Sequence, residues 1–100
     1  MRVISQKMLQ EFWEQYPEAR ELLREWFKTA LAAHWRSLGD VRRVYAHADG
    51  IPTRASGTLT VFNIGGNKFR LITRIRYDWQ LINIRGVLTH AEYDRDTWKE

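Results

Sequence analysis

Apolar residues recur at helical spacing twice in the first third of the chain. Met8, Leu9, Phe12, Trp13 and Tyr16 share one face, and Leu22, Leu23, Trp26, Phe27 and Ala30 share another. The spacing predicts two amphipathic helices, the first capped by Ser5 and closed by Pro17, which can also open the second. The second stripe fades around His34 and Trp35. Arg2, Val3 and Ile4 read as a short edge strand. Residues 37–40 read as a break, Val41, Val44 and Tyr45 as one short helical turn, and residues 49–52 and 55–57 as loop.

From Thr58 the period changes to two. Residues 58–64 and 67–77 read as strands joined by a tight turn at Gly65 and Gly66, since glycine accepts positive φ there, and residues 81–88 read as a third strand. The expectation is a three-stranded antiparallel meander, with room for the N-terminal strand beside it. Thr89 and Glu92 have capping-box spacing, which predicts a short C-terminal helix. Helices first and strands second give an α+β class, with N-terminal helices packed on one face of a small antiparallel sheet. At 100 residues the chain reads as one domain, residues 1–100, with a single core.

A two-residue turn pairs Ile64 with Asn67, Asn63 with Lys68, Phe62 with Phe69 and Val61 with Arg70, and cross-strand partners share a face. One face then collects Phe62, Phe69, Leu71, Ile75, Ile82 and Ile84, which belong on the helices. The other collects Asn63, Lys68, Arg70, Arg74, Arg76, Asn83 and Arg85, with Val61 and Ile72 among them. The net charge of +4 is therefore unevenly spread: between Arg54 and His90 there are six Lys or Arg and only Asp78 against them. Charge alone fits a solvated sheet face as well as a polyanion site. A cationic face without interspersed carboxylates favours the polyanion, and nucleic acid is the usual one.

His90 and Tyr93 lie three residues apart, on one face of the short final helix. An imidazole and a phenol near guanidinium groups suit acid–base work on a phosphodiester, although by composition His90 is as readily structural as catalytic. There are no cysteines, which removes disulfides, thiolate ligands and a thiol nucleophile, and His34, His47 and His90 have no metal-ligand spacing. No metal, no cofactor and no membrane segment are expected, and a cytoplasmic protein is the default.

The run Val61-Phe62-Asn63-Ile64-Gly65-Gly66-Asn67-Lys68-Phe69-Arg70-Leu71-Ile72, followed by Ile84-Arg85 and Thr89-His90-Ala91-Glu92-Tyr93-Asp94, resembles the signature of the HigB toxins of the RelE-like superfamily. The resemblance is close through residues 58–98 and weaker in the helical half. It implies a RelE-like fold and a type II toxin that cuts mRNA, often on the translating ribosome at the 30S A site, without a metal, by attack of the ribose 2′-OH. It also implies a HigA-like helix-turn-helix antitoxin as partner, with operator DNA bound only through that antitoxin. Carried over by position, Arg70 and Arg85 are the foremost phosphate contacts, supported by Lys68 and Arg74. His90 and Tyr93 are the proton-transfer candidates, and Asn63, Asn67, Arg76 and Arg54 are RNA contacts. Phe69 stands where many relatives have Tyr. The alternative is an RNA- or ribosome-binding module on the same fold that does not cleave.

Overall fold

The computed structural model describes residues 1–99. Its centre is a five-stranded sheet made of β1 (Arg2–Ile4), β2 (Asp49–Pro52), β3 (Thr58–Ile64), β4 (Phe69–Arg76) and β5 (Leu81–Thr89), in the spatial order β1-β5-β4-β3-β2. The sheet is mixed: β1 runs parallel to β5 and all other pairs are antiparallel. α1 (Lys7–Gln15) and α2 (Arg20–Ala32) are joined through a 3₁₀ turn, Pro17–Ala19, and are followed by α3 (Leu38–Val44); α4 (His90–Asp94) follows β5 directly. The α+β architecture expected from the pattern is present, with a five-stranded mixed sheet in place of the three-stranded antiparallel meander.

The helical stripes meet the sheet's inner face. Leu9 and Phe12 of α1 and Leu23, Trp26 and Ala30 of α2 are buried against Phe62, Phe69, Leu71, Ile82 and Ile84. Trp26 meets Phe62 edge-on, with ring centroids 5.3 Å apart, and Phe12 meets Phe69 in the same way. Met8 and Leu22, expected on these stripes, remain substantially exposed. Pro17 opens the 3₁₀ turn, where its missing N–H costs no intrahelical bond. Ser5 is not a cap: it turns the chain at φ 66, and α1 begins two residues later without a side-chain cap.

Three further expectations are corrected. Residues 37–40 start a helix: the Ser37 hydroxyl accepts the Asp40 amide at 3.3 Å, so the apparent break is the cap of α3. Residues 49–52 form an edge strand, where Pro52 needs no ladder donor. The β3–β4 connection spans four residues, with Ile64 opposite Phe69 and Asn63 opposite Arg70. That register differs from the expected one by two residues, so the side chains that stay in β3 and β4 keep their expected faces, whereas Asn67 and Lys68 leave the ladder for the turn.

A bulge sits between β4 and β5. Ile72 faces Gly86 and Thr73 faces Ile84, leaving Arg85 without a partner. Beyond this extra residue the alternation is reset, so Val87 joins the inner core and Leu88 turns outward. The outer face is consequently not an open basic surface throughout. Leu59, Val61 and Ile72 are buried there, roofed by Ile51, Leu88, Tyr93 and Trp98. Among the described residues no helix is long and apolar enough to cross a membrane.

Candidate nucleic-acid site

The roof follows from the end of β5. Thr89 and Glu92 form a reciprocal capping box: the Thr89 hydroxyl accepts the Glu92 amide at 3.2 Å, and the Glu92 carboxylate accepts the Thr89 amide at 2.9 Å. The cap folds α4 back over the outer face, and the His90 amide donates to the Lys68 carbonyl at 3.0 Å, tying α4 to the β3–β4 turn. Tyr93 is thereby laid on the sheet, stacked against Trp98 with centroids 4.9 Å apart. The Trp98 indole N–H donates to the Tyr93 carbonyl at 2.8 Å and fixes the stack.

Arg70 lies beneath this roof, and only 7% of it is exposed. Its guanidinium donates to the carbonyls of Phe69 at 3.0 Å and Gly66 at 3.4 Å and to Asn67 Oδ1 at 3.3 Å, and lies 5.5 Å from the Tyr93 ring centroid. Gly65 and Gly66, at φ 66 and 67, give the turn the left-handed backbone that brings the Gly66 carbonyl to this cation. Among the described residues Arg70 pairs with no carboxylate. A buried cation held only by neutral acceptors keeps its attraction for an anion, and its orientation is fixed before that anion arrives.

The other expected residues fall into groups. Lys68 is exposed on the turn, and Asn63 sits opposite Arg70 on β3. Asn63, Gly66 and Asn67 line a shallow cleft together with His47. Arg74 Nε donates to the Ser56 carbonyl at 2.8 Å, and Arg85 Nη2 donates to the Ser56 hydroxyl at 3.1 Å, so one loop residue gathers both arginines. Arg54 is exposed on the same loop. Arg76 does not join them: it pairs with Asp78 at 3.2 Å and lies 4.0 Å from the Trp79 ring centroid. The expected convergence of five cations is thus divided, because a strand rises about 3.3 Å per residue and its alternate side chains spread along the face.

His90 and Tyr93 part company. The imidazole Nε2 is 3.2 Å from Asp94 Oδ2 in solvent, whereas the phenol packs on the sheet. Burial, and then the Asp49 carboxylate, push the Tyr93 phenol above its usual value, while Lys99 and Arg70 pull the other way. At neutral pH the phenol is a proton donor, not a base.

Sequence reasoning missed several residues here. His47 had only its failed metal spacing to recommend it, Ser56 lay in an unstructured stretch, and Trp98 lay beyond the last recognisable period. Asp49, hidden in a segment read as loop, brings a carboxylate onto a face expected to carry none. Among the described residues no group of three His, Cys, Asp or Glu gathers as a metal site would require.

Residues 19–96 match the family model described as HigB toxin, the RelE-like toxic component of a toxin–antitoxin system. The chain is 30% identical over 94 residues, 94% of its length, to the mRNA interferase toxin HigB of Escherichia coli K12 and covers 88% of that protein. The mRNA interferase HigB proteins of Escherichia coli O157:H7 and Shigella flexneri match at the same identity and coverage. The chain belongs to the HigB toxin family of RelE-like toxins.

Proposed function

We propose that this protein is an endoribonuclease that cuts mRNA as the toxin of a type II toxin–antitoxin pair, with residues 1–100 acting as one toxin domain. The observation that carries this reading is the buried Arg70 guanidinium, held by carbonyls and an amide beside a protonated phenol. The ribose 2′-oxygen attacks the adjacent phosphorus, the bond to the 5′-oxygen breaks, and that oxygen takes up a proton. Arg70 and Arg85 stabilise the charge developing on phosphate, Lys68 and Arg74 add to the field, and Tyr93 donates to the leaving oxygen. His90, oriented by Asp94, and His47, across the turn beside Asn63 and Asn67, are the imidazoles available to accept the 2′-OH proton. Asn63, Asn67 and Arg54 position the RNA.

The reaction takes place in the cytoplasm on the translating ribosome, with mRNA presented in the 30S A site. A HigA-like helix-turn-helix antitoxin neutralises the toxin and is its only link to operator DNA. Expression of the chain alone is expected to stop growth, and co-expression of the antitoxin to restore it. Cleavage of translated mRNA by the purified protein is expected to persist in EDTA, because the mechanism moves protons and charge through side chains. Normal growth with folded protein would leave an RNA-binding module, and activity lost to EDTA and restored by a divalent ion would remove this site as the catalytic centre.

A further inference from the structure

Gly86 lacks both usual reasons for being glycine. Its backbone is not left-handed, and a Cβ built on it meets nothing within 4 Å. The space above it is the floor of a cleft of about 130 Å³ lined by Leu59, Ile72, Leu88, Trp98 and Arg85. Leu59 and Ile72 give an apolar base and Trp98 an aromatic wall. Arg85, fixed through Ser56, stands where the bulge leaves it unpaired. The cleft adjoins the catalytic half of the face, because Ile72 and Gly86 form the cross-strand pair two residues, about 7 Å, along from Arg70 and Leu88.

We propose that this cleft is a nucleobase pocket, which receives one unstacked base of the RNA chain while Arg70 holds a neighbouring phosphate. The inference deepens the reading of this face as an RNA site and rests on it. A planar ring system is the ligand that matches an apolar floor, an aromatic wall and a guanidinium edge together, and a cavity of roughly 150 Å³ is known to hold a single aromatic ring. The charge around it favours RNA over an apolar side chain of a protein partner: Arg74 and Arg85 converge at the loop bordering the cleft, and a phosphodiester chain brings the matching anions. The bulge supplies the opening, since a regular strand would not have placed both Arg85 and a glycine at this point of the outer face.

The test fills the cleft without removing any of its walls. Gly86→Leu projects a side chain into it, and Gly86→Ala, whose methyl has free space, is the milder variant. Binding at low salt is measured with short 2′-O-methyl oligoribonucleotides, which cannot undergo 2′-OH attack, each carrying an abasic nucleotide at one position in turn. For wild type, one abasic position is expected to weaken binding about tenfold, within the range for losing one stacked base. Gly86→Leu, with an unchanged melting temperature, is expected to bind all probes at that weakened level, and Gly86→Ala to fall between. The pocket is refuted if no abasic position matters, if wild type binds no probe, or if folded Gly86→Leu keeps the wild-type discrimination. Gly86→Leu that keeps that discrimination but loses the antitoxin would assign the cleft to a protein side chain instead. Cleavage of translated mRNA is scored separately: cutting without base-dependent binding sinks only the pocket, and base-dependent binding without cutting sinks only the nuclease.

Discussion

Two arginines on the same strand and the same face meet opposite fates. Arg70 is buried, fixed by three neutral acceptors and covered by an aromatic ring. Arg76, six residues and about 20 Å along β4, is neutralised by Asp78 and lies over the exposed ring of Trp79. The hydrogen bond from Arg76 in turn holds the Asp78 carboxyl below its usual range. Both are cations beside aromatics, yet only the first is arranged so that its charge is still to be answered. Burial without a counter-ion costs free energy, and the capping box and the glycine turn are the local devices that hold it in place. The near half of the outer face holds a guanidinium bonded to neutral acceptors; the far half is already paired.

The widest separation between the halves is expected at Tyr93. Tyr93→Phe keeps the ring, its stack on Trp98 and its contact with Arg70, and removes only the hydroxyl. If that hydroxyl protonates the leaving oxygen, cleavage should fall by about a hundredfold to ten-thousandfold while ribosome binding is kept. The same variant has a signature in stability. Because the folded phenol titrates above the unfolded value near 10, its contribution is complete below that value and is lost as pH rises through the folded one. Tyr45 and Tyr77 are raised as well, by burial first, so Tyr93→Phe should reduce the alkaline loss of stability without abolishing it. Single-turnover cleavage and urea unfolding between neutral and strongly alkaline pH measure the two effects; wild-type cleavage by a folded variant would remove the phenol from the mechanism.

Arg70→Ala follows. Its expected loss is about a hundredfold to a thousandfold in cleavage rate, as for an oxyanion donor. The buried Phe69 carbonyl also loses its donor, while the exposed Gly66 carbonyl and Asn67 amide can hydrate, so unfolding free energy should drop by about 1–3 kcal/mol. The open basic face expected from the sequence would instead have left Arg70→Ala fully folded. Arg70→Lys sharpens the point: it restores charge but not the fork, and should recover little rate. A folded Arg70→Ala that cleaves like wild type would end the distinction between the halves.

The sequence made the inner face legible because its signals were strong and local. Helical spacing at Leu9, Phe12, Leu23 and Trp26 and alternation at Phe62, Leu71, Ile82 and Ile84 each follow from a single period, and even a misjudged turn preserved the faces because its error was two residues. The outer face was legible in membership and not in arrangement. Arg70, Arg74 and Arg85 were identified as candidates, but nothing periodic announced that a bulge would free Arg85, or that Ser56 would gather two guanidinium groups. Trp98 lies past the last regular element of the sheet, and β2 was hidden because Gly50 and Pro52 look like loop residues until an edge strand is known to accept them. Such features arise from contacts between segments distant in sequence, and a period cannot report them.

Arg85 should behave between the extremes. It faces solvent, but it is anchored by Ser56 and lies beside the bulge. Arg85→Ala is expected to slow cleavage by about tenfold, the order of one charge-assisted hydrogen bond weakened by solvent. The stability change should be negligible, since no buried acceptor loses its donor. Raising the salt should narrow the gap between Arg85→Ala and wild type, whereas the Arg70→Ala deficit, set under the roof, should persist. Two deficits shrinking in parallel would place both guanidinium groups in the same solvated field.

The smallest effect is expected at the far half. Arg76→Ala removes a solvent-screened ion pair and an exposed cation–π contact, and Asp78 and Trp79 both remain free to hydrate. Its cleavage rate and its unfolding free energy should both lie within about 0.5 kcal/mol of wild type, a factor of about two in rate. The charge-reversing Arg76→Glu places two carboxylates side by side at that end and tests whether the far half meets RNA at all. If the chain of phosphates ends near Arg74 and Arg85, Arg76→Glu should weaken ribosome binding only slightly, and the change should vanish at high salt. A tenfold or larger loss that survives salt would mean that the RNA runs the length of β4, and the paired half of the face would then be part of the binding surface despite its internal neutralisation.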